Sequence, residues 1–284
     1  MKNLPLNRTS KRTKPSASAS VGERRPVRRS KAKAGRCESG VPAEQYEEFS
    51  RRLRAWFKKN GRDLPWRHTR DPYRVLVSEL MLQQTQVSRV IDKYREFLGR
   101  FPTLTHIAES KMSHVEDAWD RLGYYARARN LHKLARELHE NEARGRLPDN
   151  PEELRRLPGI GAYTAGAVAS FAYEKRASLV DTNVARVLKR VFAPHADFKT
   201  TAGSKLLWQI AHDVLPKTGK ATWVHNQAVM ELGALVCTAR QMHCERCPVT
   251  SVCATWSYNR NRELQGLVQE PIPVRRQRRK QPAE

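Results

Sequence analysis

Apolar positions recur along this chain with the period of a helix. Across residues 46–59 they fall at Phe49, Leu53 and Trp56, and across 73–98 at Leu76, Leu80, Val87, Ile91, Tyr94 and Leu98. Each set is a stripe that one side of a helix can bury. The same rhythm continues to about residue 255 with almost no alternating, strand-like segment, so the expected fold class is all-α. Asn150, Pro151 and Glu152 read as an N-cap, a proline at the first helical position and an early acid, which start a short helix over 151–157. Periodicity fades over 256–274, "PIPV" runs into "RRQRRK", and no internal repeat is evident.

The pattern is interrupted most sharply at "LPGIGAYTAGAV" (157–168), where the short helix stops and a new one is expected near Tyr163. Glycine at Gly159 or Gly161 can take the positive φ such a reversal needs. The resulting helix, hairpin, helix would point uncapped amides outward, a setting suited to a backbone phosphate. The plainer reading is an αα-corner, with Ala162, Ala165, Gly166, Ala167 and Ala169 letting helices approach closely.

Charge changes the picture next. Lys and Arg number 53 against 29 Asp and Glu in 284 residues, a net +24 and a pI near 10.4, which points to a polyanionic partner. Residues 1–36 hold 12 basic residues and one acid, and 275–284 hold five and one, so much of the excess lies in tails that strengthen binding without choosing a target. No apolar run approaches the roughly 20 residues of a membrane span, and the N-terminus lacks an apolar core of a signal peptide. The expectation is a soluble, unexported, monomeric protein, cytoplasmic and nucleoid-associated in a bacterium, nuclear or mitochondrial in a eukaryote.

Four of the five cysteines, Cys237, Cys244, Cys247 and Cys253, form C-x6-C-x2-C-x5-C, while Cys37 stands alone in the basic tail. In an unexported chain such clustering argues for metal rather than disulfides. Spacing alone leaves zinc and a cubane iron-sulfur cluster open. Two carboxylates also stand out. In "VLVSELML" (75–82) Glu79 lies in an apolar run, where burial would raise its pKa and make it a ready general acid, unless an Arg or Lys of a neighbouring helix pairs with it. Asp181, just before the stripe Val184, Val187, Leu188 and Val191, reads either as an N-cap or as a second, charge-stabilising carboxylate for glycosidic bond cleavage.

Taken together, "LPWR" (64–67), "SELMLQQTQV" (78–87), "LGYYARARNLHK" (122–133), "LPGIGAYTAGAV", "VDTNVARVL" (180–188), "NQAVMELGALVC" (226–237) and the cysteine pattern resemble the helix-hairpin-helix DNA glycosylases, most closely the adenine glycosylases of the MutY family. The resemblance spans roughly residues 44–253. It implies a bilobal fold, a helical barrel domain plus an iron-sulfur cluster domain, with DNA between them. Expected boundaries are a disordered basic tail at 1–40, an N-terminal helix region joining the cluster domain at 41–72, the barrel with its hairpin at 73–190, the cluster domain at 191–255, and a basic C-terminal tail at 256–284. That tail is expected to carry no Nudix-like domain of the kind family members place there to recognise 8-oxoguanine.

By the same resemblance the activity is monofunctional excision of adenine from A:8-oxoguanine or A:G mispairs in double-stranded DNA, with a [4Fe-4S] cluster on the four cysteines. Glu79 would protonate adenine N7, Asp181 would stabilise the cationic sugar, and Tyr163, standing where strand-nicking relatives have a Schiff-base lysine, would hydrogen-bond near Glu79. Asn183 would hold the catalytic water or phosphate geometry. Gln84 and Tyr124 would wedge into the stack, Trp66, Arg67, Leu82 and Glu231 would line the adenine pocket, and the amides at Gly159 and Gly161 would grip a phosphate. Thr182, where many members have glycine, is an expected tolerated change. For Trp66, Tyr124 and Tyr125 the plain alternative is core packing. Competing functions are a T:G or U:G mismatch glycosylase of the same superfamily and a non-catalytic DNA-binding scaffold.

Overall fold

The first apolar stripe forms α1 (Ala43–Asn60), which buries Tyr46, Phe49 and Leu53 on one side. The computed structural model describes residues 39–140 and 145–264; Cys37, nearly all of the N-terminal tail and residues 265–284 of the C-terminal one lie outside these. After a 3-10 turn at Pro65–Arg67 come α2 (Pro72–Leu82), α3 (Val87–Arg100), α4 (Leu104–Glu109), α5 (Met112–Ala118) and α6 (Ala126–Glu140). Then follow α7 (Pro151–Leu154), α8 (Ala162–Phe171), α9 (Thr182–Phe192), α10 (Thr201–Asp213), α11 (Gly219–Leu235), two 3-10 turns at Cys244–Arg246 and Thr250–Val252, and α12 (Ala254–Leu264). Among the described residues there is no strand, Cys237 and Met242 form an isolated bridge, and no helix is long and apolar enough to cross a membrane.

Packing sorts the helices into two groups. In one, α2 lies on α3 and α8, α4 and α5 lie on α6, and α7 lies on α8. In the other, α9 and α1 lie on α11, and α10 and α12 lie on α9; α11 also touches α8 and so joins the groups. The first helix of the chain thus belongs with the last ones. The boundary expected between residues 190 and 191 falls inside α9, whose helix neighbours include α1, through Phe192 on Tyr46 and Phe49, as well as α10, α11 and α12.

Two expectations need correcting. The stripe over 73–98 is two helices, because the chain turns at Gln83–Gln86 with Gln84 at φ 57, and the Arg127 guanidinium from α6 takes the carbonyls that would have continued α2. Nor does the ordered chain give way to a tail at 256: α12 continues to Leu264, with the Thr255 hydroxyl bonded to the Arg190 carbonyl at 2.6 Å and Tyr258 edge-on to His195. Its contacts with α9, rather than its own weak periodicity, hold it.

The hairpin is built as its residues suggest. Asn150 Oδ1 accepts the Glu152 amide at 2.8 Å, though α7 is shorter than the expected 151–157. Gly159 takes φ +76, and a β-carbon there would come within 2.6 Å of Asn130 Cβ, so both conformation and space require glycine. Close helix packing is equally real. A β-carbon on Gly166 would sit 2.0 Å from the Ser178 carbonyl oxygen, and Ala165, Ala167 and Ala169 are fully buried beside it. Gly166→Ala should therefore destabilise the protein by about 1–3 kcal/mol in urea unfolding, the usual cost of overpacking.

Candidate active site

The elements α2, α8, α9 and α11 enclose one open cleft. Its wall takes in Trp66, Arg67, Glu79, Leu82, Gln84, Gly159, Gly161, Tyr163, Asp181, Asn183 and Glu231. Of the side chains and glycines expected at a DNA-processing site, only Tyr124 lies off this wall.

Glu79 is 3% exposed, and the Tyr163 hydroxyl donates to its Oε2 at 2.6 Å. Burial pushes the carboxyl up to about 7; the Tyr163 bond and the charge of Arg67 oppose this, and the charge of Asp181 adds to it. Among the described residues no ion pair involves Glu79, and Arg67 is paired with Glu231. Burial and the adjacent Glu79 also raise the Tyr163 hydroxyl well above its ordinary range, so it stays a donor. The result is a carboxyl poised near neutrality, facing a cleft that also holds a second carboxylate.

The structure shows that second group as an N-cap that also lies on the cleft wall. Asp181 caps α9, its Oδ1 accepting the Val184 amide at 2.6 Å, and its Oδ2 accepts Asn183 Nδ2 at 3.0 Å on the cleft wall. Asn183 is held in turn by Arg186 Nη2 at 2.7 Å. Thr182 begins α9 in ordinary helical backbone, where glycine's freedom is not called on.

Glu231 is 1% exposed and fully occupied. Its Oε1 accepts the Arg62 amide and Arg62 Nε, both at 2.8 Å, while its Oε2 accepts Arg62 Nη2 at 2.9 Å and Arg67 Nη2 at 2.8 Å. Arg67 also donates to Gln227 Oε1 and to the Arg62 carbonyl. Burial alone would raise the Glu231 carboxyl, but these bonds outweigh it and hold it at about 2. Its acceptor sites are all taken, so at this wall Glu231 acts by fixing two guanidinium groups. Arg62, Gln227, Met230 and Ala234 also line the cleft and had no sequence signal beyond lying in or beside the quoted motifs.

Gln84 (φ 57), on the cleft wall, and Tyr124 (φ 48), off it, are both exposed, Tyr124 by 60%. Core packing is thereby excluded for Tyr124. It is excluded for Tyr125 as well, which is 38% exposed with its hydroxyl on Asp120. Trp66, by contrast, is both core and cleft wall, edge-on to Tyr94 at 5.6 Å. The α8 N-terminus has no side-chain cap, and Gly159 and Gly161 are exposed.

Away from the cleft, Cys237, Cys244, Cys247 and Cys253 line a single cavity with apolar walls such as Leu232 and Val249. Arg190 Nη1 donates to Cys237 Sγ at 3.3 Å, a contact suited to a sulfur bearing negative charge. Among the described residues no three His, Cys, Asp or Glu form a group that could hold one metal ion.

Residues 77–211 match the family model described as HhH-GPD superfamily base excision DNA repair protein. The fold agrees. A thermostable thymine-DNA glycosylase structure superposes with TM-score 0.69 at 30% identity, covering 76% of this chain and 98% of that one. An endonuclease III structure, a trapped DNA covalent intermediate, superposes at 0.64 and 22%, covering 78% and 99%. The chain therefore belongs to the helix-hairpin-helix superfamily of base excision DNA repair proteins. Adenine DNA glycosylases narrow this. The mouse protein is 41% identical over 232 residues (78% of this chain, 44% of that protein), the human one 44% over 214 (72% and 39%), and that of Mycobacterium tuberculosis H37Rv 42% over 205 (69% and 64%). Within the superfamily the chain is a member of the adenine DNA glycosylase, or MutY, family. It spans less than half the length of the mammalian relatives it matches.

Proposed function

We propose that the chain is a monofunctional adenine DNA glycosylase acting as a monomer on double-stranded DNA, removing adenine opposite 8-oxoguanine or guanine. The observation that carries this is the buried Glu79 carboxyl, raised to about 7 and bonded by Tyr163, in one cleft with Asp181. Its proton passes to adenine N7 as the bond from N9 to C1′ breaks, Asp181 stabilises the cationic sugar, and water adds at C1′ with its proton returning to the Glu79 carboxylate. Asn183, bonded to Asp181, keeps that carboxylate aimed. Tyr163 lacks an amine for a Schiff base, so no strand nick accompanies excision. The adenine must leave the stack at a cost of a few kcal/mol. Gln84 and Tyr124 fill the gap, the base lies against Trp66, Arg67 and Leu82, and the amides around Gly159 and Gly161 take a phosphate.

Four thiols lining one cavity with apolar walls fit a [4Fe-4S] cluster, which takes four cysteine thiolates. Cys237, Cys244, Cys247 and Cys253 would hold it, and it would stabilise the surrounding segment and its grip on DNA. Cys247→Ser should lose the visible absorbance of purified protein and its iron, measured by colorimetric assay, and melt at lower temperature. Zinc in equal stoichiometry to protein would overturn the assignment.

Single-turnover assays on duplexes with A opposite 8-oxoguanine, A opposite G and T opposite G, with and without alkali, test the activity. Breaks at adenine that need alkali are expected. Cleavage at T:G, the reaction suggested by the thymine-DNA glycosylase likeness, or inactivity on all three, would overturn the reading.

A further inference from the structure

One buried guanidinium stands between the loops that carry Gln84 and Tyr124. Arg127, in the first turn of α6, is 7% exposed, and its hydrogen-bond partners are oxygens of the last turn of α2 and of these loops. Its Nη1 donates to the carbonyls of Leu80 (2.7 Å), Met81 (2.9 Å) and Gln83 (2.5 Å). Its Nη2 donates to those of Leu122 (3.1 Å) and Gly123 (2.8 Å), and Nε to that of Tyr124 (3.3 Å). Thr85 Oγ1 lies between the two nitrogens at 3.4 and 3.3 Å and also reaches the Leu122 carbonyl. A cation at the end of α2 meets orphan carbonyls and the negative end of the helix dipole, which favours it there despite burial.

The two segments so joined carry Gln84 and Tyr124, both in left-handed backbone that side-chain-bearing residues avoid, and Arg121 and Gly123 flank Tyr124 in the same region of φ. Such conformations persist only where surroundings over-determine them, and they gather at sites that must hold a shape against load. An inserted side chain bears such a load, because a base stack pushes back. A planar fork with five donors can grip both loops at once; a lysine ammonium cannot reproduce that reach.

We propose that Arg127 is the positioning residue that fixes Gln84 and Tyr124 relative to one another, and that base extrusion depends on it through those two side chains. This rests on the glycosylase reading and deepens it. The test uses a duplex with 2-aminopurine opposite G, whose fluorescence rises on unstacking, alongside single-turnover excision from an A:G duplex. The proteins are wild type, Arg127→Lys, the pair Gln84→Ala with Tyr124→Ala, and the triple variant. Arg127→Lys should slow unstacking about tenfold or more, as misplacement of about 1 Å can. In the Gln84→Ala, Tyr124→Ala background the same change should cost less than about twofold, because coupled residues are non-additive. The pH midpoint of excision should stay where wild type has it. If Arg127→Lys folds poorly, Thr85→Val perturbs the same junction mildly and should show the same vanishing effect. Equal losses in both backgrounds, a moved pH midpoint, or wild-type unstacking by Arg127→Lys would overturn the proposal. Wild-type protein that unstacks 2-aminopurine but excises no adenine would instead sink the glycosylase reading and leave Arg127's role standing.

Discussion

Glu79→Gln is expected to slow adenine excision by about 10²–10⁴, the range a general acid contributes, and at pH 8 to raise thermal stability. The two effects have one cause. In the folded protein burial holds the carboxyl at about 7 against an ordinary 4.5, so the native state binds the proton more tightly than the unfolded chain. Stability therefore falls as pH rises from about 4.5 to about 7, and above that the ionised, buried group costs on the order of 3 kcal/mol. Glutamine carries no charge at any pH, and its carbonyl can still accept the Tyr163 hydroxyl. The variant's advantage in melting temperature should be clear at pH 8 and vanish near pH 4.5. Wild-type excision should decline as pH rises through about 7 as the acid loses its proton. Equal destabilisation of the variant at both pH values would show Glu79 to be an ionised structural group instead.

Glu79 was legible because a carboxylate among apolar neighbours has few explanations, and burial bears directly on its chemistry. Asp181 was legible as an N-cap, since its position just before an apolar stripe has that local meaning, and the structure adds that its other oxygen, bonded to Asn183, lies on the cleft wall. The hairpin was readable from Gly159, where a positive φ and the crowding by Asn130 together call for glycine. What escaped was set by partners far away in sequence. The break after α2 depends on Arg127, more than forty positions downstream, so no local signal separated the stripe over 73–98 into two helices. Arg62 lies in a polar loop and gains meaning only where α11 brings Glu231 to it. The continuation of α12 likewise depends on α9 rather than on its own pattern.

Glu231→Gln should be the most damaging conservative change in the cleft wall. The folded carboxyl is held at about 2 by Arg62 and Arg67 in spite of burial, against 4.5 unfolded, so its stabilising contribution is fully present above about 4.5 and is lost as pH falls through about 2. At pH 7 that contribution is on the order of 3 kcal/mol, the same size as breaking a buried ion pair from one side. Most of the damage falls on Arg67, whose side chain is 9% exposed, because Arg62 at 37% can turn to water. The glutamine amide would present a donor to guanidinium groups that need acceptors. Removing the second buried charge should therefore recover stability: Glu231→Met with Arg67→Met should melt above Glu231→Gln at pH 7, although the wall that meets the base is gone and excision stays low. Urea unfolding at pH 7 and acid titration of wild type and both variants measure this. If Glu231→Gln unfolds with the wild-type midpoint, the four hydrogen bonds do not hold this wall, and the positions of Arg62 and Arg67 must be set by the loop at 61–67 alone.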